Sequence, residues 1–266
     1  MNGLHTSERD ELGNIGFRMG LVRDLPLKKS LKTLADAGYK SVGICSAHAD
    51  FNNKKLSPAK LSKLKEQIDE LDLRICSVCH CCKNVDPEAA LDESRKGIEL
   101  ASELKCNLMI LRTAPVEMDP QGRQTTHNIA ELIQAAEEVH VKVAIEPEPG
   151  TVIHGLYEFS VLTSQLAGLP ISLNLNIGNI ALNEGNVIAV IQEWARFIEI
   201  VHLCDVRRPD QNHLLPGDGH LDIPDIVISL RKHHYKGDLV IDLDETAEAP
   251  DQLAVEAMQR CKQMFS

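Results

Sequence analysis

The sequence predicts a closed parallel (β/α)8 barrel, a single TIM barrel of the α/β class, and three observations carry that prediction. Eight short β-rich runs alternate with longer stretches patterned for helix. The runs start roughly 25–40 residues apart, the span of one strand–helix unit. The length of 266 residues suits one such barrel, and no linker or composition break divides the chain. An open doubly wound sheet would also alternate in this way, but no GxGxxG follows the first strand. Residues 1–14 are expected to form a polar N-terminal segment and residues 15–266 the barrel domain.

In chain order the expected strands are 15–21 (IGFRMGL), 39–46 (YKSVGICS), 73–80 (LRICSVCH), 107–113 (NLMILRT), 141–148 (VKVAIEPE), 171–177 (ISLNLNI), 197–205 (FIEIVHLCD) and 238–244 (DLVIDLD). After the first strand, Leu27, Leu31, Leu34 and Ala35 make one apolar helical stripe. After the second, Leu61, Leu64, Ile68 and Leu71 make another. The last helix carries Leu253, Ala257, Met258 and Cys261. Ser57-Pro58 and Asp86-Pro87 are helix starts, with Pro in the first turn where its missing N–H costs nothing. Trp194 and Phe197, just before the seventh strand, are expected to pack rather than to stack on a ligand.

Hydrophobic residues make up 43% and charged residues 25%, a globular balance. The net charge of −11 and the lack of a Lys/Arg run argue against nucleic acid as a partner. No apolar run reaches membrane-spanning length, and no basic segment followed by an apolar core opens the chain. A cytoplasmic location without membrane contact is therefore expected, with the eight cysteines as free thiols.

Barrel sites form at the C-terminal ends of the strands, where side chains alternate between the interior and the helix layer. On the fifth strand Val143 and Ile145 suit the helix layer, which turns Glu146 inward. Leu173 and Leu175 likewise turn Asn174 and Asn176 inward. Leu239, Ile241 and Leu243 do the same for Asp242 and Asp244. His202 shares parity with Ile198 and Ile200, so hydrophobicity leaves its direction open. Glu146, Asn176, His202 and Asp242 nevertheless fall at similar heights. Two carboxylates, an amide oxygen and an imidazole can bind a divalent metal ion, and paired carboxylates can move a proton.

These residues lie in VAIEPEPG, LNLNIGNIAL, IVHLCDVRR, LPGDGHLDIPDIVISLRKHHYKG and DLVIDLDE, preceded by PLKKSLKTLADAGYKSVGI. In them, over nearly its whole length, the chain resembles the xylose-isomerase-like barrels, the sugar phosphate isomerase/epimerase family. The most specific part is the order His-Leu-x-Asp, Pro-Gly-x-Gly, then Tyr-x-Gly-x-Leu-x-Ile-acid. The resemblance implies a carbohydrate isomerase or epimerase acting on a keto-sugar or sugar phosphate. The alternatives within it are a dehydratase or lyase, or a non-catalytic sugar-binding barrel with a degenerate metal site. It implies a divalent metal ion (Mn, Mg, Co or Zn) on Glu146, Asn176, His202 and Asp242. Glu146 and Asp242 would be the catalytic acid/base pair. His80, Asn179, Asp205 and Arg208 would bind substrate. It further implies a homo-oligomer, dimer or tetramer.

The chain departs from the family pattern in ways that matter chemically. Asn176 stands where the family has Asp, Asp242 where it has Glu, Asn179 where it usually has His, and Gly43 where many members have Glu after the second strand. The ion therefore loses one negative ligand and should bind weakly or not at all. Endonuclease IV, a DNA enzyme with the same barrel, is a poor match, because its site needs more His and carboxylate ligands. Loop 206–222 (VRRPDQNHLLPGDGHLD) forms a rim element in which Arg207, Arg208, His213 and His220 could meet a substrate.

The run LRICSVCHCC (73–82) looks at first like a sulfur site. Alternation, however, sends Cys76, Val78 and His80 to one face and Ser77, Cys79 and Cys81 to the other. Four thiolates cannot meet from one extended strand, so no tetrahedral site forms there alone. His80, with Cys82 beside it, is expected at the pocket mouth.

Overall fold

A computed structural model of the protein describes residues 14–51, 56–80, 87–209, 212–244 and 248–265. Eight parallel strands close into one barrel in chain order. They are β1 (Ile15–Arg18), β2 (Ser41–Cys45), β3 (Arg74–His80), β4 (Leu108–Leu111), β5 (Lys142–Ile145), β6 (Ser172–Asn176), β7 (Ile198–Leu203) and β8 (Leu239–Ile241). Each lies within an expected run. The ladders are shorter because the polar ends of the runs leave the sheet to form the rim. β1 pairs with β8 through Ile15–Leu239, Gly16–Val240 and Phe17–Ile241, which closes the ring.

The helices are α1 (Leu27–Ala37), α2 (Pro58–Glu70), α3 (Pro87–Glu103), α4 (Arg123–Glu138), α5 (Leu156–Gln165), α6 (Ile177–Asn183), α7 (Val187–Trp194), α8 (Ile223–Lys232) and α9 (Pro250–Met264). The expected stripes are the buried faces: Leu27, Leu31 and Leu34 on α1, Leu61, Leu64 and Ile68 on α2, and Ala257, Met258 and Cys261 on α9. Ser57 caps α2 by accepting from the Lys60 N–H at 3.4 Å. Between β6 and β7 the chain makes two helices. Gly185, at φ 82°, ends the first, and the Asn186 side chain caps the second by accepting from Ala189 N–H at 3.0 Å. Trp194 and Phe197 pack edge-on against Phe159 at 5.5 and 5.9 Å, as expected of packing residues.

Strand parity sorts the interior into layers. At the lower level Gly16 faces Ser41 and Val240, and a Cβ on Gly16 would meet the Val240 side chain at 3.3 Å. Phe17, of opposite parity, packs outward on Tyr39 at 5.3 Å, whose hydroxyl donates to the Ala254 carbonyl of α9 at 2.8 Å. Above it the inward positions hold Arg18, Glu146, Asn176, His202 and Asp242, with Asn174 two residues below Asn176 on β6, all buried. The barrel is thus apolar in its wall and polar at the C-terminal end of its axis.

Candidate functional site

Glu146 and Asp242 each sit one residue past a strand. The Glu146 N–H donates to the Leu111 carbonyl at 3.0 Å and the Asp242 N–H to the Leu203 carbonyl at 3.0 Å. These bonds extend the ladders by one rung and fix both carboxylates at the rim. Asn174 and Asn176 come from β6, where Asn176 pairs with His202 and Asn174, two residues lower, with Ile200, so the Asn176 amide shares the level of the imidazole.

The cluster is dense and buried. Asn174 Nδ2 donates to Glu146 Oε2 at 2.6 Å and lies 3.1 Å from His202 Nδ1. Asn176 Nδ2 reaches both carboxylates, Glu146 Oε1 at 3.2 Å and Asp242 Oδ2 at 3.0 Å. Asn179 Nδ2 lies 3.4 Å from Glu146 Oε1. His202 Nδ1 stands 3.2 Å from Glu146 Oε2 and 3.5 Å from Asp242 Oδ2. Arg18, at the end of β1, pairs through Nε with Asp242 Oδ1. His213 Nδ1 lies 3.3 Å from Asp242 Oδ2, and its Nε2 3.1 Å from Asn179 Oδ1.

Burial by itself would favour the neutral form of each group. The opposite charges outweigh it. His202 and Arg112 bring Glu146 down to about 2. Arg18, His202 and His213 hold Asp242 well below the usual carboxylate range. The two carboxylates in turn raise His202 to about 9. At neutral pH the site is therefore a buried set of ionised partners.

The structure brings Glu146, His202 and Asp242 together and gives Asn176 another orientation. The Asn176 oxygen accepts from the Asn179 N–H at 3.3 Å, capping α6, and from Cys204 Sγ at 3.6 Å. Its nitrogen faces the carboxylates. The reverse orientation would set three oxygens against one another, so the network fixes this one. Asn179 is in place, held by Glu146, His213 and the Pro147 carbonyl at 3.2 Å.

Three residues expected to meet substrate have the following surroundings within the protein. Asp205 accepts from the N–H groups of Val206 at 2.9 Å, Leu221 at 3.0 Å and Gly217 at 3.0 Å. It organises the loop after β7, because both its oxygens are committed to backbone. Arg208 donates to the carbonyls of Ala181 and Leu182 (3.1 Å for the latter), closing the C-terminus of α6. His80 points to the helix layer: a Cβ on Gly97 of α3 would lie 2.7 Å from His80 Cβ. It lines a cavity of about 540 Å³ with Ser46, Phe51, Leu56, Glu99 and Leu100, and neither Glu146 nor Asp242 lines that cavity. Gly43 lies within β2, facing Ser77, where a Cβ would meet the Ser77 hydroxyl at 2.9 Å. Cys81 and Cys82 lie outside the described residues.

Sequence reasoning missed Arg18 and Arg112 and gave His213 too little weight. Arg112, just past β4, makes a two-pronged pair with Glu148, with Nε–Oε2 at 2.7 Å. Its inward parity, the same as that of Ile110, was a readable signal.

The donor set fits a divalent ion through three residues. Glu146, His202 and Asp242 each offer a ligand atom within 4.8 Å of the others. His202 faces both carboxylates through Nδ1, and an ion would bind it in exchange for the imidazolium proton. Asn176 stands beside them with its oxygen on the Asn179 N–H.

A family model described as a xylose isomerase-like TIM barrel matches residues 31–264. Among solved structures, the chain is 18% identical to a D-tagatose 3-epimerase-like protein, covering 94% of this chain and 96% of that one with a TM-score of 0.77. The IolI protein, solved with a bound zinc atom, is 18% identical over 94% of this chain and 96% of its own, with a TM-score of 0.75. A xylose isomerase-like TIM barrel/4-hydroxyphenylpyruvate dioxygenase fusion protein is 16% identical over 94% of this chain, with a TM-score of 0.75. The chain spans only 42% of that fusion protein. At these identities the likeness is one of fold. No curated protein sequence matches the chain. No described helix is long and apolar enough to cross a membrane.

Proposed function

The chain belongs to the xylose isomerase-like TIM barrel family, and on that premise we propose that it is a carbohydrate isomerase or epimerase that moves a proton next to a carbonyl. The observation carrying this reading is the convergence of Glu146, His202 and Asp242 at the C-terminal end of the barrel axis. A keto-sugar or sugar phosphate is the substrate class. The fold shared with a D-tagatose 3-epimerase-like protein supports that class.

Glu146 and Asp242 are ionised at neutral pH, the state a base needs before it accepts a proton from carbon. One carboxylate takes the proton. Its return to the neighbouring carbon gives isomerisation. Epimerisation follows when the other carboxylate, having taken a proton from water, delivers it from the opposite face while the first releases its own to water. Asn174 holds Glu146 in orientation, and Arg18 with His213 holds Asp242. Asn179 and His213 line the rim where substrate hydroxyls would bind. Glu146, His202 and Asp242 would hold a divalent ion, which supplies Lewis-acid polarisation of a carbonyl oxygen.

One observation favours a second reading, a sugar-binding barrel without catalysis. Asn176 turns a nitrogen toward both carboxylates and so satisfies them without an ion. Solvent exchange separates the two. Ketoses and ketose phosphates incubated with the protein and Mn²⁺ in D₂O should gain deuterium next to the carbonyl, and Glu146→Gln and Asp242→Asn should abolish the gain. Sugars that raise the melting temperature yet never gain deuterium would establish the binding reading instead.

A further inference from the structure

We propose that Arg18 is a resident cation of the barrel centre, occupying Asp242 in competition with a divalent ion. The proposal rests on the three-ligand centre of Glu146, His202 and Asp242 and adds what controls its occupancy.

Arg18 ends β1 and is buried at 5% exposure, with its side chain turned to the barrel axis and its Nε on Asp242 Oδ1. An arginine cannot shed its charge, so its burial requires an anion, and here the anion is a ligand of the candidate metal centre. The remaining carboxylate oxygens are also supplied with donors. Glu146 Oε1 accepts from Asn176 at 3.2 Å and Asn179 at 3.4 Å, and Glu146 Oε2 from Asn174 at 2.6 Å. Asp242 Oδ2 accepts from Asn176 at 3.0 Å. Two buried carboxylates thus have Arg18, His202 and three amide groups set directly against them, with Arg112 a further cation near Glu146.

A divalent ion entering this set meets carboxylates that already face resident cations. It must displace hydrogen bonds and approach a guanidinium that is held on one of the ligands. Electrostatics inside a protein is strong enough for one such charge to matter, since opposite and like charges act here at low effective dielectric. Arg18 therefore keeps the protein folded and charge-balanced without metal and sets a high threshold for metal occupancy. The three ligands determine where an ion binds, and Arg18 determines how tightly.

The test is an Mn²⁺ titration of full-length, chelator-stripped protein, followed by calorimetry and by the melting temperature. Arg18→Gln removes the charge and Arg18→Lys keeps it. Arg18→Gln should bind Mn²⁺ at least about tenfold more tightly than the wild type, and its melting temperature should rise more on adding Mn²⁺. Arg18→Lys should stay near the wild-type affinity. Equal affinity in Arg18→Gln and wild type overturns the proposal and leaves the three-ligand centre standing. So does an Arg18→Lys protein that binds as tightly as Arg18→Gln. Binding by none of the three proteins overturns both. An Arg18→Gln protein that stays unfolded at millimolar Mn²⁺ also overturns the proposal, because the ion should be able to replace the lost charge.

Discussion

Glu146 and His202 hold each other in charged form although both are fully buried, and this has a consequence for pH. His202 is raised from 6.5 to about 9, so its contribution to stability is complete below pH 6.5 and is lost as pH rises through about 9. Glu146 is lowered from 4.5 to about 2, so its contribution is complete above pH 4.5 and is lost as pH falls through about 2. Both shifts describe one interaction and count once. Metal-free protein should therefore be most resistant to heat between these limits. His202→Gln should abolish the fall on the alkaline side. Melting curves recorded across pH 6.5 to 9 check this, and identical slopes for wild type and variant would contradict it. Glu146 and Asp242 were legible in the sequence because alternation with apolar neighbours fixes their direction. Arg18 was not, because its partner Asp242 lies 224 residues away and no local pattern reports such a contact. The direction of the Asn176 amide was equally hidden. It depends on a helix cap and on two carboxylates from other strands.

At the level of elements, the Asp205 side chain organises the loop after β7, with Arg260 bracing its Pro216–Asp218 turn. Asp205 accepts three backbone N–H bonds, and its backbone exchanges two more bonds with Leu214 at 3.0 and 2.8 Å. The Pro-Gly-x-Gly motif acquires a physical meaning here. Gly217 takes φ 93°, which favours glycine, while donating to Asp205, and Gly219 lies too close to the Asp205 carboxylate to carry a Cβ. The sequence marked this motif as specific but not as structural, because motif spacing does not say what a carboxylate faces. Asp205→Ala should cost about 1.5–3 kcal/mol in denaturant unfolding and expose the amides of Val206, Gly217 and Leu221 to hydrogen exchange. Unchanged exchange at those three amides would show that the loop is held otherwise. The loop also carries His213 to Asp242, so this variant should weaken substrate handling without touching a proposed ligand.

Across the whole molecule, barrel closure was legible because each strand is an apolar run buried on both faces and each is followed by a helical stripe. The strand order follows from short right-handed crossovers. Less legible was the lower seam, where Asp238 accepts from Arg74 at 2.5 and 2.6 Å and from the Asn14 N–H at 3.2 Å, tying β8, β3 and the entry to β1 together. The cysteines behave as small buried hydrophobes. Cys45, Cys76, Cys79, Cys106, Cys204 and Cys261 are all reduced, buried thiols, and burial pushes Cys76 and Cys261 up to about 12. In native protein at neutral pH these six should resist a thiol reagent that labels them on unfolding, as peptide mapping would show. Rapid native labelling of Cys76 or Cys261 would contradict the packing described.

The central claim is that β5, β7 and β8 deliver one ion-binding centre to the C-terminal end of the barrel axis. A crystal of the protein soaked in millimolar Zn²⁺ and measured at the zinc absorption edge tests it most directly. The expected result is one anomalous peak at coordination distance, about 2.0–2.2 Å, from Glu146, His202 and Asp242, with the Asn176 oxygen still capping α6. No peak at that position, with the Arg18–Asp242 pair and the Asn176 amide bonds unchanged, would contradict it.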